Sequence, residues 1–325
     1  MFFMLTIRQI FDLAVKMGMA VDPRGAKGVK KYLERAKKTY EDMKPDEKEY
    51  FNLNSLVNPY SDSGVHVGDE KTPVKRVLAG IDIGSAEVIL ASQLNERGKT
   101  VDLIIGHHPL GRSLVSLHGV MDIQIEIYAR HGVPMHTAEK LMEARIKEVG
   151  RSVHASNHYR IIDAARLLGV NLMNVHTPAD NLVTSFLNKY LKVNQSDTVA
   201  DLLKDLCEIP EYNEARMRGA GPKIFAGSPN HRVGKFLIEM TGGTSPSDKV
   251  YKELSDAGVS TIVGMHMKET SKEKADEHYM NVVVAGHMSS DSLGMNLFLD
   301  ELEKKGIEVI PCSGLIRVSR NKKKK

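Results

Sequence analysis

Val284-Ala285-Gly286-His287-Met288-Ser289-Ser290-Asp291 and, far upstream, Ile105-Gly106-His107-His108-Pro109 share one local form. An apolar run reaches a glycine, imidazoles follow, and the regular pattern breaks. A strand that ends this way delivers its imidazole beyond the carboxyl edge of the sheet, where open α/β folds bind ligands. Leu172-Met173-Asn174-Val175-His176-Thr177-Pro178-Ala179-Asp180 repeats the form. Together the three segments offer four histidines and two aspartates, His107, His108, His176, His287, Asp180 and Asp291. That is a nitrogen and oxygen donor set suited to a metal site. A lone histidine at a strand end is ordinarily just hydrogen-bonded or solvated, and an aspartate in a first helical turn is ordinarily a dipole partner. Three such segments in one chain carry the metal reading.

Around these segments the pattern alternates. Arg76 to Asp82 reads as a buried strand, Ser85 as the cap of a helix through Glu87 to Glu96, and Val101 to Ile105 as the next strand. Further strands are expected at 171–175, 234–240, 260–264, 281–285 and 308–311, with helices between them. Ser290 is expected to cap a last long helix that Gly306 stops. Strand–helix alternation predicts an α/β fold with helices on the sheet faces. The three His-bearing strands are expected to end at one sheet edge. Met121 to Val153 reads as helical, broken at Gly132-Val133-Pro134.

The first fifty residues read as helical. Ile7, Ile10, Phe11, Ala14 and Met17 fall at helical spacing, and Thr6 with Gln9 makes a capping box. Met1-Phe2-Phe3-Met4-Leu5 could open a signal peptide, but Arg8, Asp12 and Lys16 interrupt it and no small-residue cleavage site follows. Asn58 to Gly64 is a turn cluster and a boundary. The expected organisation is a helical extension (1–57), a first α/β lobe (58–181, with a helical insertion at about 112–155) and a second lobe (182–325) ending in a basic tail.

Of 325 residues, 42% are hydrophobic and 26% charged, the composition of an ordinary globular protein. The net charge of +4 equals the contribution of Lys322 to Lys325. The body is therefore near neutral, which gives no case for nucleic acid. No apolar run approaches the length of a membrane span. Cys207 and Cys312 stand far apart without a CxxC, which argues against thiolate zinc and fits a reducing, cytoplasmic setting.

On these motifs the chain resembles the Ngg-one-interacting-factor-three-like proteins, a dinuclear-metal family also described as GTP cyclohydrolase I type 2. Residues 103–110 match its GHHPL-like motif, His176 to Asp180 its HTxxD-like motif, and Gly286 to Asp291 the late GHxxxE motif that opens its last helix. Tyr60 to Gly68 is weakly similar to its WDNVGLxVG-like segment. The resemblance covers roughly residues 58–316. It implies two intertwined α/β lobes with a metal cleft between them. It also implies two divalent ions held by His107, His108, Asp180, His287 and Asp291, and a homo-oligomer, commonly a toroidal hexamer. The family's last carboxylate is usually glutamate, so Asp291 must act with roughly 1.5 Å less reach.

Without thiolates the ions would be Zn, Fe, Mn or Co. Such ions activate water, which points to a metal-dependent hydrolase; no residue identifies its substrate, and a nucleotide or phosphorylated small molecule is what the resemblance implies. A non-catalytic metal-binding, metal-handling or regulatory protein is the alternative. His176 and His266, if near the cleft, are candidate proton shuttles, because imidazole titrates near working pH. The Gly242 to Ser247 loop lacks the lysine of a P-loop and reads as an ordinary helix-cap turn.

Overall fold

Thr6 opens the first helix as expected, its Oγ1 accepting from the Gln9 amide while the Gln9 side chain accepts from the Thr6 amide. The computed structural model describes residues 4–321, so Met1 to Phe3 and the Lys322 to Lys325 tail lie outside the described residues. From the N-terminus come α1 (Ile7–Ala20), α2 (Gly25–Asp42) and α3 (Pro45–Lys48), then the edge strand β1 (Gly64–Val67). The first alternating series is β2 (Arg76–Gly80), α4 (Ser85–Glu96) and β3 (Leu103–Gly106). It continues through α5 (Gly111–Val115), α6 (Asp122–Arg130), α7 (Met135–His154) and α8 (Arg160–Leu167) to β4 (Leu172–Asn174) and α9 (Thr177–Asn194). Helices α10 (Val199–Glu208) and α11 (Pro210–Met217) lead to β5 (Lys223–Ala226), β6 (Lys235–Glu239), α12 (Val250–Asp256) and β7 (Val259–Gly264). Then come α13 (Glu269–Glu277), β8 (Asn281–Val284), α14 (His287–Lys304) and β9 (Glu308–Cys312). No described helix is long and apolar enough to cross a membrane.

The strands form two sheets, ordered β1-β4-β3-β2-β9 and β5-β8-β7-β6. This corrects the expectation of one shared sheet edge: β3 and β4 end in the first sheet and β8 in the second. The physical reason is that the chain builds the same unit twice. In each, three parallel strands are closed by an antiparallel edge strand, β1 on β4 and β5 on β8. Each edge strand carries a register irregularity and is followed by a glycine at positive φ, Gly68 or Gly227. Each glycine lies against an asparagine side chain at the start of the neighbouring strand, Asn171 or Asn281, where a Cβ would collide. The sequence, with no short-period repeat, does not display this kinship. The final strand β9 crosses back to pair in parallel with β2, from Arg76↔Glu308 to Gly80↔Cys312, and so ties the second half to the first sheet.

Two expected caps shift. Gly84, not Ser85, precedes α4, and its amide donates to the Glu87 carboxylate at 2.7 Å. Helix α14 starts at His287 after Gly286, and Ser290 Oγ donates back to the Gly286 carbonyl at 2.6 Å instead of capping. The helix therefore begins early enough to hold His287 and Asp291 one turn apart on the same face.

Helices α9 and α14 pack against each other, and α1 packs on α9. Two glycines set these approaches. A Cβ on Gly18 would stand 2.7 Å from the Pro178 Cα, and one on Gly294 would stand 2.4 Å from the Ala179 carbonyl oxygen. Gly294 is one turn past Asp291, and Ala179 adjoins Asp180, so this contact fixes how closely the two aspartates meet.

Alanine at 294 should favour an isolated helix by about 1 kcal/mol over glycine. In this protein Gly294→Ala is expected to destabilise by roughly 1–3 kcal/mol, because backbone atoms cannot yield as a flexible side chain would. Chemical denaturation measures it; unchanged or raised stability would show that the two helices are not held at this distance.

Candidate metal centre

The backbone bends the His107–His108 pair into one cleft. In an extended chain adjacent side chains diverge. Here the His107 amide donates to the carbonyls of Gly80 and Ile81, and the His108 amide donates to Ile81. The loop after β3 is thus pinned against the end of β2, and the two rings lie 5.2 Å apart. His176 precedes α9 and its ring is 4.9 Å from that of His107; His287 opens α14 and its ring is 5.2 Å from that of His108. Asp180 enters from the first turn of α9, and Asp291 from α14 one turn beyond His287. The structure brings His107, His108, Asp180, His287 and Asp291 together, along with both proposed shuttles.

The donor set is incomplete without a cation. His107 Nδ1 lies 2.9 Å from the Val175 carbonyl, which can only accept, so that nitrogen carries the proton. In the neutral ring Nε2 is then a lone pair. It faces Asp180 Oδ1 at 3.4 Å and Asp291 Oδ1 at 3.5 Å. Asp291 Oδ2 faces His108 Nε2 at 3.4 Å and His287 Nε2 at 3.5 Å. His107 Nε2, Asp180 Oδ1 and both Asp291 oxygens are buried with no hydrogen-bond partner. Buried acceptors facing one another are costly unless a positive charge joins them. Two ligand atoms at about 2.1 Å from a tetrahedral ion stand about 3.4 Å apart, which is the observed spacing. Besides a group of His107, His108 and His176, His107, Asp180 and Asp291 form one candidate group and His108, His287 and Asp291 another, with ligand atoms within 4.8 Å of one another in each. Asp291 belongs to both, one oxygen on each side. The shorter side chain reaches the cluster because α14 begins at His287 and packs against α9.

Protonation follows the same conflict. Burial pushes the Asp180 carboxyl well above its ordinary value, and the negative charges of Asp291 and Asp62 push it further. Burial would raise Asp291 too, but His107, His108 and His287 hold it below the usual range. Burial lowers His108, yet Asp291 and Asp82 outweigh it and the net shift is upward. His287 is lowered by burial, partly opposed by Asp291.

Outer residues fix the rings. His176 Nδ1 donates to Asp62 Oδ2 at 2.7 Å, which turns its Nε2 toward Asp180 Oδ2, 3.8 Å away. Thr177 Oγ1 donates to the same Asp62 oxygen at 2.6 Å. His108 Nδ1 donates to Asp82 Oδ1 at 2.6 Å. Carboxylates in this position set tautomer and orientation. Neither Asp62 nor Asp82 stands among the candidate site residues read from the sequence. The signals were there: Asp62 lies in the Tyr60 to Gly68 segment, and Gly80-Ile81-Asp82 ends a strand as the histidine segments do.

Next to the cluster opens a cleft of about 500 Å³, counting space open to solvent. His176, Asp180, His266 and His287 line it on one side, and Glu239, Thr241, Gly243 and Tyr251 are among its other walls. The His266 ring is 4.7 Å from that of His287. Burial lowers His266 to about 4, with His287 adding to the effect, so it is neutral at neutral pH. The Thr241 to Ser247 loop is not the helix-cap turn expected, since α12 begins only at Val250. It is a cleft wall, held by Gln124 Nε2 donating to the Thr244 carbonyl (2.6 Å) and Arg145 Nε donating to that of Ser245 (3.0 Å). The expected helical insertion therefore buttresses the cleft. Glu239 accepts from the Tyr128 and Tyr251 hydroxyls, each at 3.2 Å.

No protein-family model matches the sequence, and no curated protein matches it at a significant level. Solved structures do match. A NIF3 superfamily protein from Sphaerobacter thermophilus is 25% identical, with a TM-score of 0.74 over 96% of this chain and 99% of that one. Reduced HcgD from Methanocaldococcus jannaschii is 16% identical, with a TM-score of 0.51 over 85% of this chain and 96% of that one, a likeness of fold.

Two outcomes are expected. Asp291→Ala should lose most bound metal while Asp180→Ala loses about half, and Asp291→Glu should retain it; metal analysis of the purified variants decides, and full metal content in the Ala variant at 291 would remove that residue from the site. The second concerns pH. Burial raises Glu239 from 4.5 to about 7, against the opposing tyrosine hydrogen bonds. Across that interval the folded state holds a proton the unfolded chain has released, so this group's contribution falls as pH rises. Denaturation midpoints of Glu239→Gln should therefore decline less than wild type between pH 4.5 and 7; parallel curves would contradict the assignment.

Proposed function

Because the chain is a NIF3-like protein, NIF3 abbreviating Ngg-one-interacting-factor three, we propose that it is a dinuclear metal-dependent hydrolase of small phosphorylated or nucleotide-like substrates. One observation carries the reading: each candidate group offers three protein ligands beside an open cleft. A catalytic site keeps a position for water or substrate, whereas a storage site closes its coordination. The nitrogen and oxygen donors suit Zn, Fe, Mn or Co. Divalent ions held there supply activated water and polarise the oxygen of a scissile bond.

The chain's own residues do the rest. Asp291 joins the two groups, and Asp180 completes the first. Asp62 and Asp82 keep the His176 and His108 rings turned to the cluster. His266, neutral and lining the cleft beside His287, is placed to accept a proton from the attacking water. His176, with its Nδ1 proton committed to Asp62, is the inner candidate for the same task. A cytoplasmic homo-oligomer, a ring of six by the family resemblance, belongs to the same reading and is checked by light scattering.

Turnover of a nucleotide and phosphoester panel by the metal-loaded protein tests the proposal. Hydrolysis should vanish with a chelator and return with one of the four metals. His266→Ala should lower kcat by about 10²-fold or more, the usual scale for a general base, with metal content unchanged. Two bound ions and no turnover across the panel would favour a metal-handling protein instead.

A further inference from the structure

Strands β6, β7 and β8 lie side by side, with Glu239 in register with Gly264 and Gly264 with Val284. All three run in parallel and end at the cleft. β8 leads to His287, β7 to His266, and β6 ends in Glu239, a carboxylate at a position where its neighbours carry apolar residues or glycine. At about 4.8 Å per strand, the Glu239 backbone stands about 10 Å from the end of β8, the length of a small substrate. Glu239 lines the same cleft as His176, Asp180, His266 and His287.

Its surroundings are specific. The Tyr128 hydroxyl donates to Oε1 and the Tyr251 hydroxyl to Oε2, and both tyrosines are fully buried. These two bonds hold the carboxylate from one side. An ionised carboxylate has about four acceptor sites, so each oxygen keeps capacity. Burial and the two tyrosines alone shape its titration, with no lysine, arginine or histidine contributing. A group needed only to bridge two hydroxyls would do so at lower cost as a neutral amide. A half-buried carboxylate with spare acceptors and, among the described residues, no counter-charge, in the wall of the cleft, is suited to a cation.

We propose that Glu239 anchors a cationic nitrogen group of the substrate, an amine, amidine or guanidine, in the cleft it lines with the metal-ligating residues. The proposal rests on reading the cleft as the substrate site. It narrows the substrate class to small molecules carrying a positively charged nitrogen apart from the reacting bond. Tyr128, on the helical insertion, and Tyr251 are positioning residues that fix the carboxylate.

The test uses methylguanidinium and its neutral analogue N-methylurea as probes, titrated at pH 8 into the full-length metal-loaded protein and followed by NMR. Wild type should bind methylguanidinium more tightly than N-methylurea by about tenfold or more, the scale of a hydrogen bond to a charged group. Glu239→Gln should lose that preference while keeping its metal and its fold. Tyr128→Phe, which keeps the charge, should retain the preference in weakened form and guards against a Gln variant that does not fold. Equal binding of the two probes by wild type, no binding of either, or an undiminished preference in Glu239→Gln would overturn the proposal. Metal content, measured on the same samples, separates the two readings. Bound metal without probe discrimination refutes the anchor alone, and discrimination without bound metal refutes the metal centre alone.

Discussion

The carboxylate of Asp291 has histidine nitrogens on both sides and hydrogen bonds on neither. Its two oxygens are buried, and the imidazole atoms they face lie 3.4–3.5 Å away. Without a positive charge beside them, such buried acceptors would cost several kcal/mol. Cations on each side would turn every one of these contacts from a cost into a bond. Much of the fold is arranged so that this crowding can occur: two helices from different halves of the chain enter with their N-terminal portions side by side, and Gly294 lets their backbones approach.

Duplication explains how the crowding arises. Each half offers a sheet with parallel strands that lead into histidine-bearing segments, and β9 returns to the first sheet to fasten the halves together. One half supplies His107, His108 and Asp180 and the other His287 and Asp291. Both candidate groups that contain Asp291 draw ligands from both halves. A site shared this way ties ligand binding to the docking of the halves, so metal should stabilise the whole chain by linkage.

Much of this was legible in the sequence, and the reasons differ by residue. His107, His108, His176 and His287 follow apolar runs of strand period, so their placement at strand ends could be read directly. Helix α1 announced itself through its stripe and its Thr6–Gln9 box. What periodicity cannot give is which strands share a sheet, because pairing is a long-range property. The expectation of one edge failed for that reason. Strands β1 and β5 are short, irregular and on the sheet edge, so they lack a clean alternation. Glu239 escaped because a charge after Phe236-Leu237-Ile238 looks like the end of a strand and not part of a site. Asp62 was hidden in a turn, where aspartate is ordinary; only its burial beneath His176 and Thr177 marks it.

Anomalous X-ray diffraction from crystals loaded with manganese addresses the central claim most directly. Two ions about 3.5–4 Å apart are predicted, one beside His107 and Asp180, the other beside His108 and His287, with an Asp291 oxygen bound to each. A single ion, or two ions of which Asp291 touches only one, would contradict the account.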